Sequence, residues 1–274
     1  MNVILQDSSP SEIVSALIGS IVSFWSQLFC FFPKTVFHTD PGIFWLETGI
    51  RHDIFNRGVQ LHPDLAAPPA AIEAMAEHFQ HERLPFLWHQ GTSSRVYNGQ
   101  SRADSFGLTH YETEPVMAVD LLAFNENVPV ARQLVIQPVT TEEQLQQWIG
   151  VWEFGSSEEI FHLWFTCYSG LCFRRESPLH LYLGIIDGSP VATSEVFLDG
   201  HVALIGAVNT LATYRHQGIG TALTLKALQT AQGQGYRTGL LTASPMGITI
   251  YRRLGFQEYG AYSTYLWHPQ RKQP

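Results

Sequence analysis

The run Tyr214-Arg215-His216-Gln217-Gly218-Ile219-Gly220-Thr221 follows a β-rich stretch and opens a helical one. A helix N-terminus offers unpaired N–H groups and a partial positive charge, and two glycines let a pyrophosphate approach the backbone closely. A tight strand-to-helix turn with glycines kept for packing is the competing reading. Further on, Ser244-Pro245-Met246-Gly247-Ile248-Thr249-Ile250-Tyr251-Arg252-Arg253-Leu254-Gly255-Phe256 reads as a compact helix. Ser244 is its expected N-cap, proline takes the first position and Gly255 is the stop. Gly247 and Tyr251, four apart, share a face, so the bare Gly247 leaves a channel for a slim ligand beside a phenol. With a reference pKa of about 10, Tyr251 keeps its proton at neutral pH and can give it to a departing thiolate. As an alternative it is a core residue with a wet hydroxyl. Glu195, mid-strand between Ser194 and Val196, is the candidate general base, directly or through water; an exposed strand carboxylate without a role is its alternative.

Clear punctuation marks the elements that must position these groups. Gln133 to Val139 reads as a strand, and Thr140 with Glu143 caps a helix to about Glu153. Ser156 with Glu159 opens a second helix carrying Ile160, Leu163, Trp164 and Cys167 on one face. The period then switches to two: His180 to Ile186, Val191 to Leu198 and Val202 to Val208 form a meander, separated by Asp187-Gly188-Ser189 and Asp199-Gly200. A helix from about Gly218 to Gln234, a strand at Thr238 to Ala243, the Tyr251 helix and strands through Trp267 follow. The order β-α-α-β-β-β-α-β-α-β-β predicts an α+β fold, a mixed and mostly antiparallel sheet with flanking helices.

In the first half, a helix at Pro69 to Glu82 followed by a strand at Pro85 to His89 repeats the helix-then-strand order of the second. Gly107, Tyr111 and Met117 match Gly255, Tyr259 and Tyr265 in spacing, each before an alternating run. The expectation is two such domains in tandem, residues 1–130 and 131–268. Between the strand Ile43 to Thr48 and the first-half helix there is no glycine loop, so a duplicate here has lost its cofactor site.

The second half resembles the GNAT superfamily, the Gcn5-related N-acetyltransferases. Arg215, Gly218 and Gly220 match the family's R/Q-x-x-G-x-G/A signature, Tyr251 with Leu254-Gly255-Phe256 matches its Y-x-x-x-G-F ending, and the element order fits the family fold. The resemblance implies the acyl-CoA N-acyltransferase fold, with acetyl-CoA as acetyl donor and no metal. Its pantetheine arm would lie between two splayed parallel strands, the ends of Val202 to Asn209 and Thr238 to Ala243. Backbone groups near Thr210 and Leu211 would hold the thioester carbonyl. The loop Arg215, His216, Gln217, Gly218, Ile219, Gly220 and Thr221 would cradle the pyrophosphate, and Tyr251 matches the residue that protonates the coenzyme A thiolate. A primary amine of a small molecule or peptide would attack directly in a ternary complex. Ala212 stands where the family often has proline, and Ser244 and Gly247 where asparagine and alanine are common; Ser244 either bonds the pantetheine arm or only caps its helix. The first half resembles the degenerate halves of tandem members, which shape a substrate cleft or an interface. A non-catalytic acyl-CoA sensor or scaffold is the rival reading.

Composition narrows the rest. Residues 1–133 hold 7 Lys/Arg against 14 Asp/Glu, while 134–274 hold 9 against 10. Neither half supplies the basic surface that phosphate neutralisation demands, which argues against nucleic acid. The acidic first half would steer cationic acceptors. Cys30, Cys167 and Cys172 cannot all pair internally and show no zinc spacing, which suits reduced thiols in the cytoplasm. His78 and His81 lie three apart on a helix without a clear third ligand. Ile13 to Phe32 is nearly uncharged and long enough to span a bilayer. Its stripe of Ser11, Ser15, Gly19, Ser23 and Gln27, with the Ser9/Glu12 capping box, marks instead a buried amphipathic helix of a protein with no membrane anchor.

Overall fold

The computed structural model describes residues 7–94, 107–131, 133–200 and 202–269. Two compact units divide the chain, one from Met117–Gln257 and the other from Ser9–Val116 with Glu258–Pro274. Their composition departs from a cut at residue 130, because pairing overrides sequence order. The last strand, β11 (Gln257–Trp267), is antiparallel to β4 (Phe86–Thr92), from Ala261 opposite Thr92 to Trp267 opposite Phe86.

In the C-terminal unit the sheet order is β10-β9-β8-β7-β6, and the end of β5 (Thr109–Asp120) lies beside β10. The meander of β7 (Leu179–Ile186), β8 (Ser189–Asp199) and β9 (Val202–Thr210) is antiparallel, as is β6 (Val135–Pro138) to β7; β10 (Thr238–Thr242) runs parallel to β9. Helices α3 (Glu142–Trp152) and α4 (Glu158–Cys172) precede the meander, and α5 (Ile219–Gly233) and α6 (Ile248–Leu254) follow it. The core joins Val196, Ile205, Leu223, Leu228 and Leu254, all at most 3% exposed.

Two caps fall one residue later than expected. Thr141, not Thr140, caps α3 with Gln144, whose side-chain oxygen accepts from the backbone N–H groups of both threonines. Ser157, not Ser156, caps α4; the Ser156 N–H closes a turn onto the Glu153 carbonyl. Serine and threonine cap wherever the backbone is extended, and neighbouring hydroxyls compete for that place.

The N-terminal unit repeats the plan. Strands β1 (Val36–Asp40), β2 (Ile43–Glu47) and β3 (Arg57–Gln60) form an antiparallel meander; α2 (Pro69–Glu82) crosses over to β4, which is parallel to β3. Gly107 and Gly255 both have positive φ (72° and 101°) and each stands two residues before its strand, β5 or β11, with a buried apolar residue between, Leu108 or Phe256. The echo read in the sequence is therefore a structural one.

Helix α1 (Pro10–Phe29) begins with the Ser9/Glu12 capping box. By length and composition it could cross a bilayer, yet half of its most apolar stretch is buried inside the protein. A Cβ at Gly91 would meet Val14 at 2.8 Å and Ile18 at 2.9 Å, so the glycine lets the helix lie directly on β4. Trp25 packs tilted against His89, ring centroids 5.0 Å apart. The polar stripe from Ser11 to Gln27 lies off the buried face. His78 and His81 have different partners, Glu47 at 2.9 Å and Glu82 at 2.8 Å. Among the described residues no group of three or more His, Cys, Asp or Glu is placed to hold a metal ion.

Candidate active site

The glycine loop joins the end of β9 to α5. A 3-10 turn at Ala212–Tyr214 leaves β9, and Arg215 folds back so that its Nε donates to the Thr210 carbonyl at 2.9 Å. His216 and Gly218 both have positive φ, 63° and 80°. Gly218 is the helix N-cap and has no side-chain cap; the first intrahelical bond runs from the Ala222 N–H to the Gly218 carbonyl. The N–H groups before Ala222 thus face out of the helix end. The two glycines have different reasons. A Cβ at Gly218 would stand 3.0 Å from the Pro129 carbonyl oxygen and 3.2 Å from Val130 Cα, so a segment upstream of β6 presses on the loop. At Gly220 it would meet nothing closer than Ile250 at 3.7 Å, Thr210 Oγ1 at 3.8 Å and Val208 at 3.9 Å. That space lies against the end of β9.

β9 and β10 pair only at Ala203 with Gly239 and Leu204 with Leu240, although β9 continues to Thr210. A bulge on β9's other edge accompanies this parting. Thr193 pairs with Asn209 but Glu195 with Gly206, so Ala207 and Val208 together oppose Ser194. Ala207 takes φ 46°, and the Thr193 hydroxyl donates to its carbonyl at 2.8 Å. A bulge bends its strand and sharpens the twist, which turns β9 away from its parallel neighbour. The Asn209 amide ties the bend to the end of α3, donating to the Val151 carbonyl at 2.8 Å.

The carbonyl-binding pair of the sequence reading divides here. Leu211 has its N–H committed to the Val191 carbonyl at 2.9 Å, inside the β8–β9 ladder. Backbone groups alternate along a strand, so the N–H and carbonyl of Thr210 turn to the other edge, where Arg215 reaches that carbonyl.

Glu195 is not an exposed strand carboxylate: the residue is 8% exposed, on the opposite face of β8 from α5. Its neighbour Ser194 faces α5, donating from its hydroxyl to the Leu223 carbonyl. Glu195 Oε2 accepts a hydrogen bond from the Tyr168 hydroxyl at 2.9 Å. Burial raises the Glu195 pKa to about 7, against the lowering effect of that bond. The Tyr168 pKa lies well above its ordinary value through burial and then the neighbouring carboxylate, so Tyr168 stays a donor.

The Tyr251 helix departs from its reading in two ways. Helix α6 starts at Ile248 with Gly247 as N-cap, while Ser244 contributes only its carbonyl, accepting from the N–H groups of Gly247 (2.8 Å) and Ile248 (3.2 Å). Pro245 and Met246 sit in the turn before the helix, where proline's fixed φ is accommodated. Nor does Gly247 leave a channel: a Cβ there would lie 2.6 Å from the Tyr251 ring, which fills that space. Tyr251 is 8% exposed and packs at a tilt on Phe256, 5.6 Å between centroids.

Tyr168, Gly206, Asn209 and Pro129 escape a reading by local pattern. Each acts through a partner at least 11 positions away, and only the Tyr168 position, one residue after Cys167 on the buried face of α4, carried a signal.

A meander, a parallel crossover strand parting from it and a glycine-cornered helix start at the parting define the acyl-CoA N-acyltransferase fold. Residues 139–256 match the model of the acetyltransferase (GNAT) family, and over that range the chain carries a GNAT domain. The fold likeness extends over both units. A GCN5-related N-acetyltransferase from Kribbella flavida aligns with a TM-score of 0.72 and 19% identity, over 94% of this chain and 96% of its own. A GCN5-related N-acetyltransferase from Sphaerobacter thermophilus gives 0.60 and 13%, over 85% and 82%. A tandem GNAT protein from the clavulanic acid biosynthesis pathway gives 0.57 and 16%, over 88% and 85%. No protein of curated function matches the chain. The N-terminal unit is thus GNAT-like in fold, and the match over residues 139–256 is to a family of acetyltransferases.

Proposed function

We propose that the protein is an acetyl-CoA-dependent N-acetyltransferase that acetylates a primary amine of a small molecule or peptide by direct attack in a ternary complex. The observation that carries this reading is one shared location: the open end of α5, the parting of β9 from β10 and the buried Glu195 all converge on the bulge at Ala207-Val208. The N–H groups of His216 to Thr221 bind the donor's pyrophosphate, supported by the helix dipole and held in shape by Arg215. The pantetheine arm lies between the parted strands, and the Thr210 N–H, on the open edge of β9, holds the thioester carbonyl. Gly247 serves by admitting the Tyr251 ring.

Glu195 takes a proton from the substrate ammonium. The amine nitrogen then attacks the acetyl carbonyl, a C–N bond forms and the C–S bond breaks, the departing thiolate takes the Tyr251 proton, and the second proton shed by the nitrogen passes through solvent to restore the phenol. A base near pKa 7 is half ionised at neutral pH, well matched to this task. Cys30, Cys167 and Cys172, which form no disulfide among the described residues, fit a reducing, cytoplasmic setting. The test is release of coenzyme A thiol from acetyl-CoA with a panel of primary amines: a polyamine, an aminosugar, an aromatic amine and a short peptide. Amine-dependent release is expected. Tight binding of acetyl-CoA with no release across the panel would favour a sensor.

A further inference from the structure

The environment of Glu195 contains two residues whose types are explained by that carboxylate and by nothing else nearby. Tyr168 lies on α4, 1% exposed, among three tryptophans: Trp148 at 5.1 Å, Trp152 at 5.5 Å and Trp164 at 6.0 Å between ring centroids. A phenylalanine would satisfy that aromatic packing, and the hydroxyl is required only by Glu195 Oε2, 2.9 Å away. Gly206, opposite Glu195 on β9, has no positive φ to explain it. What it supplies is room, since a Cβ there would lie 2.6 Å from Glu195 Oε1 and 3.4 Å from the carboxyl carbon.

We propose that Tyr168 and Gly206 are the positioning residues of the catalytic base, Tyr168 fixing Oε2 and Gly206 leaving Oε1 as the oxygen offered to the acceptor amine at the bulge. This rests on the reading of Glu195 as the base. A buried carboxylate with one oxygen bonded has its rotamer and its reactive lone pair chosen before substrate arrives, and such preorganisation governs proton transfer. The bond also favours the ionised form, against a burial that disfavours it. Other elements leave the balance to this pair: the residues paired with Glu195 on β7 and β9 are Leu181 and Gly206, while Cys167 on α4 and Glu153 after α3 act on the Tyr168 hydroxyl.

The experiment reads Glu195 directly. The full chain is labelled with glutamate carrying 13C at the side-chain carboxyl, and its carboxyl resonances are followed from pH 4 to 10; the spectrum of Glu195→Gln identifies the Glu195 signal. In Tyr168→Phe the midpoint of that signal should rise by roughly one pH unit. With the fastest amine of the panel, kcat/KM at pH 7 should fall more than fivefold, about fivefold through the lost ionised fraction, and a deficit should persist at pH 9, where both carboxylates are ionised, because Oε2 is no longer held. Acetyl-CoA Kd should be unaltered. A tyrosine that only packs would leave the midpoint where it is, and an unchanged midpoint overturns the proposal. Gly206→Ala gives an independent reading should Tyr168→Phe fold poorly: its carboxyl signal should shift and kcat fall at least tenfold with Kd for acetyl-CoA kept, and wild-type behaviour in both overturns the role of Gly206. Should Glu195→Gln itself turn over at the wild-type rate, the assignment of the base fails, whatever Tyr168 does to the carboxylate.

Discussion

Arg215 Nε donates to the Thr210 carbonyl at 2.9 Å, so the residue that leads the glycine loop is tied to the strand it has just left. The bond is charge-assisted and spans the whole 3-10 turn at Ala212–Tyr214. Arg215→Ala should therefore raise the acetyl-CoA Kd by about tenfold, the equivalent of one lost hydrogen bond to a charged group. Arg215→Lys should not restore it, since an ammonium lacks the Nε donor. Calorimetry on the three proteins decides this, and a lysine variant binding at wild-type strength would show that charge alone matters.

Gly218 and Gly220 should respond to alanine in different ways. At Gly218, φ of 80° and a Cβ 3.0 Å from the Pro129 carbonyl make Gly218→Ala destabilising by about 1–3 kcal/mol. At Gly220, inside α5 with no close neighbour, alanine costs the fold nothing and gains about 1 kcal/mol of helix propensity. Its methyl would point toward Thr210 and Val208, where the donor is proposed to lie. Gly220→Ala should therefore melt at or above the wild-type temperature while binding acetyl-CoA at least tenfold more weakly. Paired thermal melts and titrations separate the two effects.

Burial of Glu195 also sets a pH dependence of stability. Its folded pKa of about 7 lies above the unfolded value of 4.5, so the folded state binds the proton more tightly. Stability from this group is present below pH 4.5 and lost as pH rises through 7. Glu195→Gln, which cannot ionise, should be more stable than wild type at pH 8 by up to about 3 kcal/mol, and the gain should vanish near pH 4. Denaturant melts at the two pH values measure it.

The opposite sign holds in the N-terminal unit. His89 is buried, its pKa pushed well below 6.5 by burial first and by the nearby Arg57 second. Its contribution is present above pH 6.5 and lost as pH falls below it, because the unfolded chain then binds the proton more readily. His89→Phe should shift the acid-unfolding midpoint of the N-terminal unit to lower pH, as tracked by Trp25, Trp45 and Trp88 fluorescence.

Much of this was legible in the sequence, for reasons that are local. The Ser9/Glu12 box, the meander turns at Gly188 and Gly200 and the glycine corner before α5 each depend on residues within four positions of one another. The first and third strands of the N-terminal unit were not visible. In β1, Val36 and Phe37 are exposed together and the alternation fails, and β3 is only four residues long. The placement of β11 with β4 could not be read either, since strand partners are chosen by the register and burial of both strands. Within the site, the loop glycines declared themselves, whereas the burial of Glu195, the bond from Tyr168 and the filling of Gly247 by Tyr251 depend on packing that no spacing encodes.

The proposed function places one active site in the C-terminal unit and none in the N-terminal unit. In the N-terminal unit the chain beyond β3 presents the Asp64 carboxylate, accepting from the Ser93 N–H and hydroxyl at 3.1 and 2.8 Å. There an anion would meet a carboxylate instead of open N–H groups, and the Gln90 amide bridges to Gln60 across the ends of β4 and β3 at 3.3 Å. Calorimetric titration of the full chain with acetyl-CoA, repeated on Gly220→Ala, measures this directly. One equivalent should bind per chain, and that binding should weaken in the variant; two equivalents, or one that is unaffected by Gly220→Ala, would contradict it.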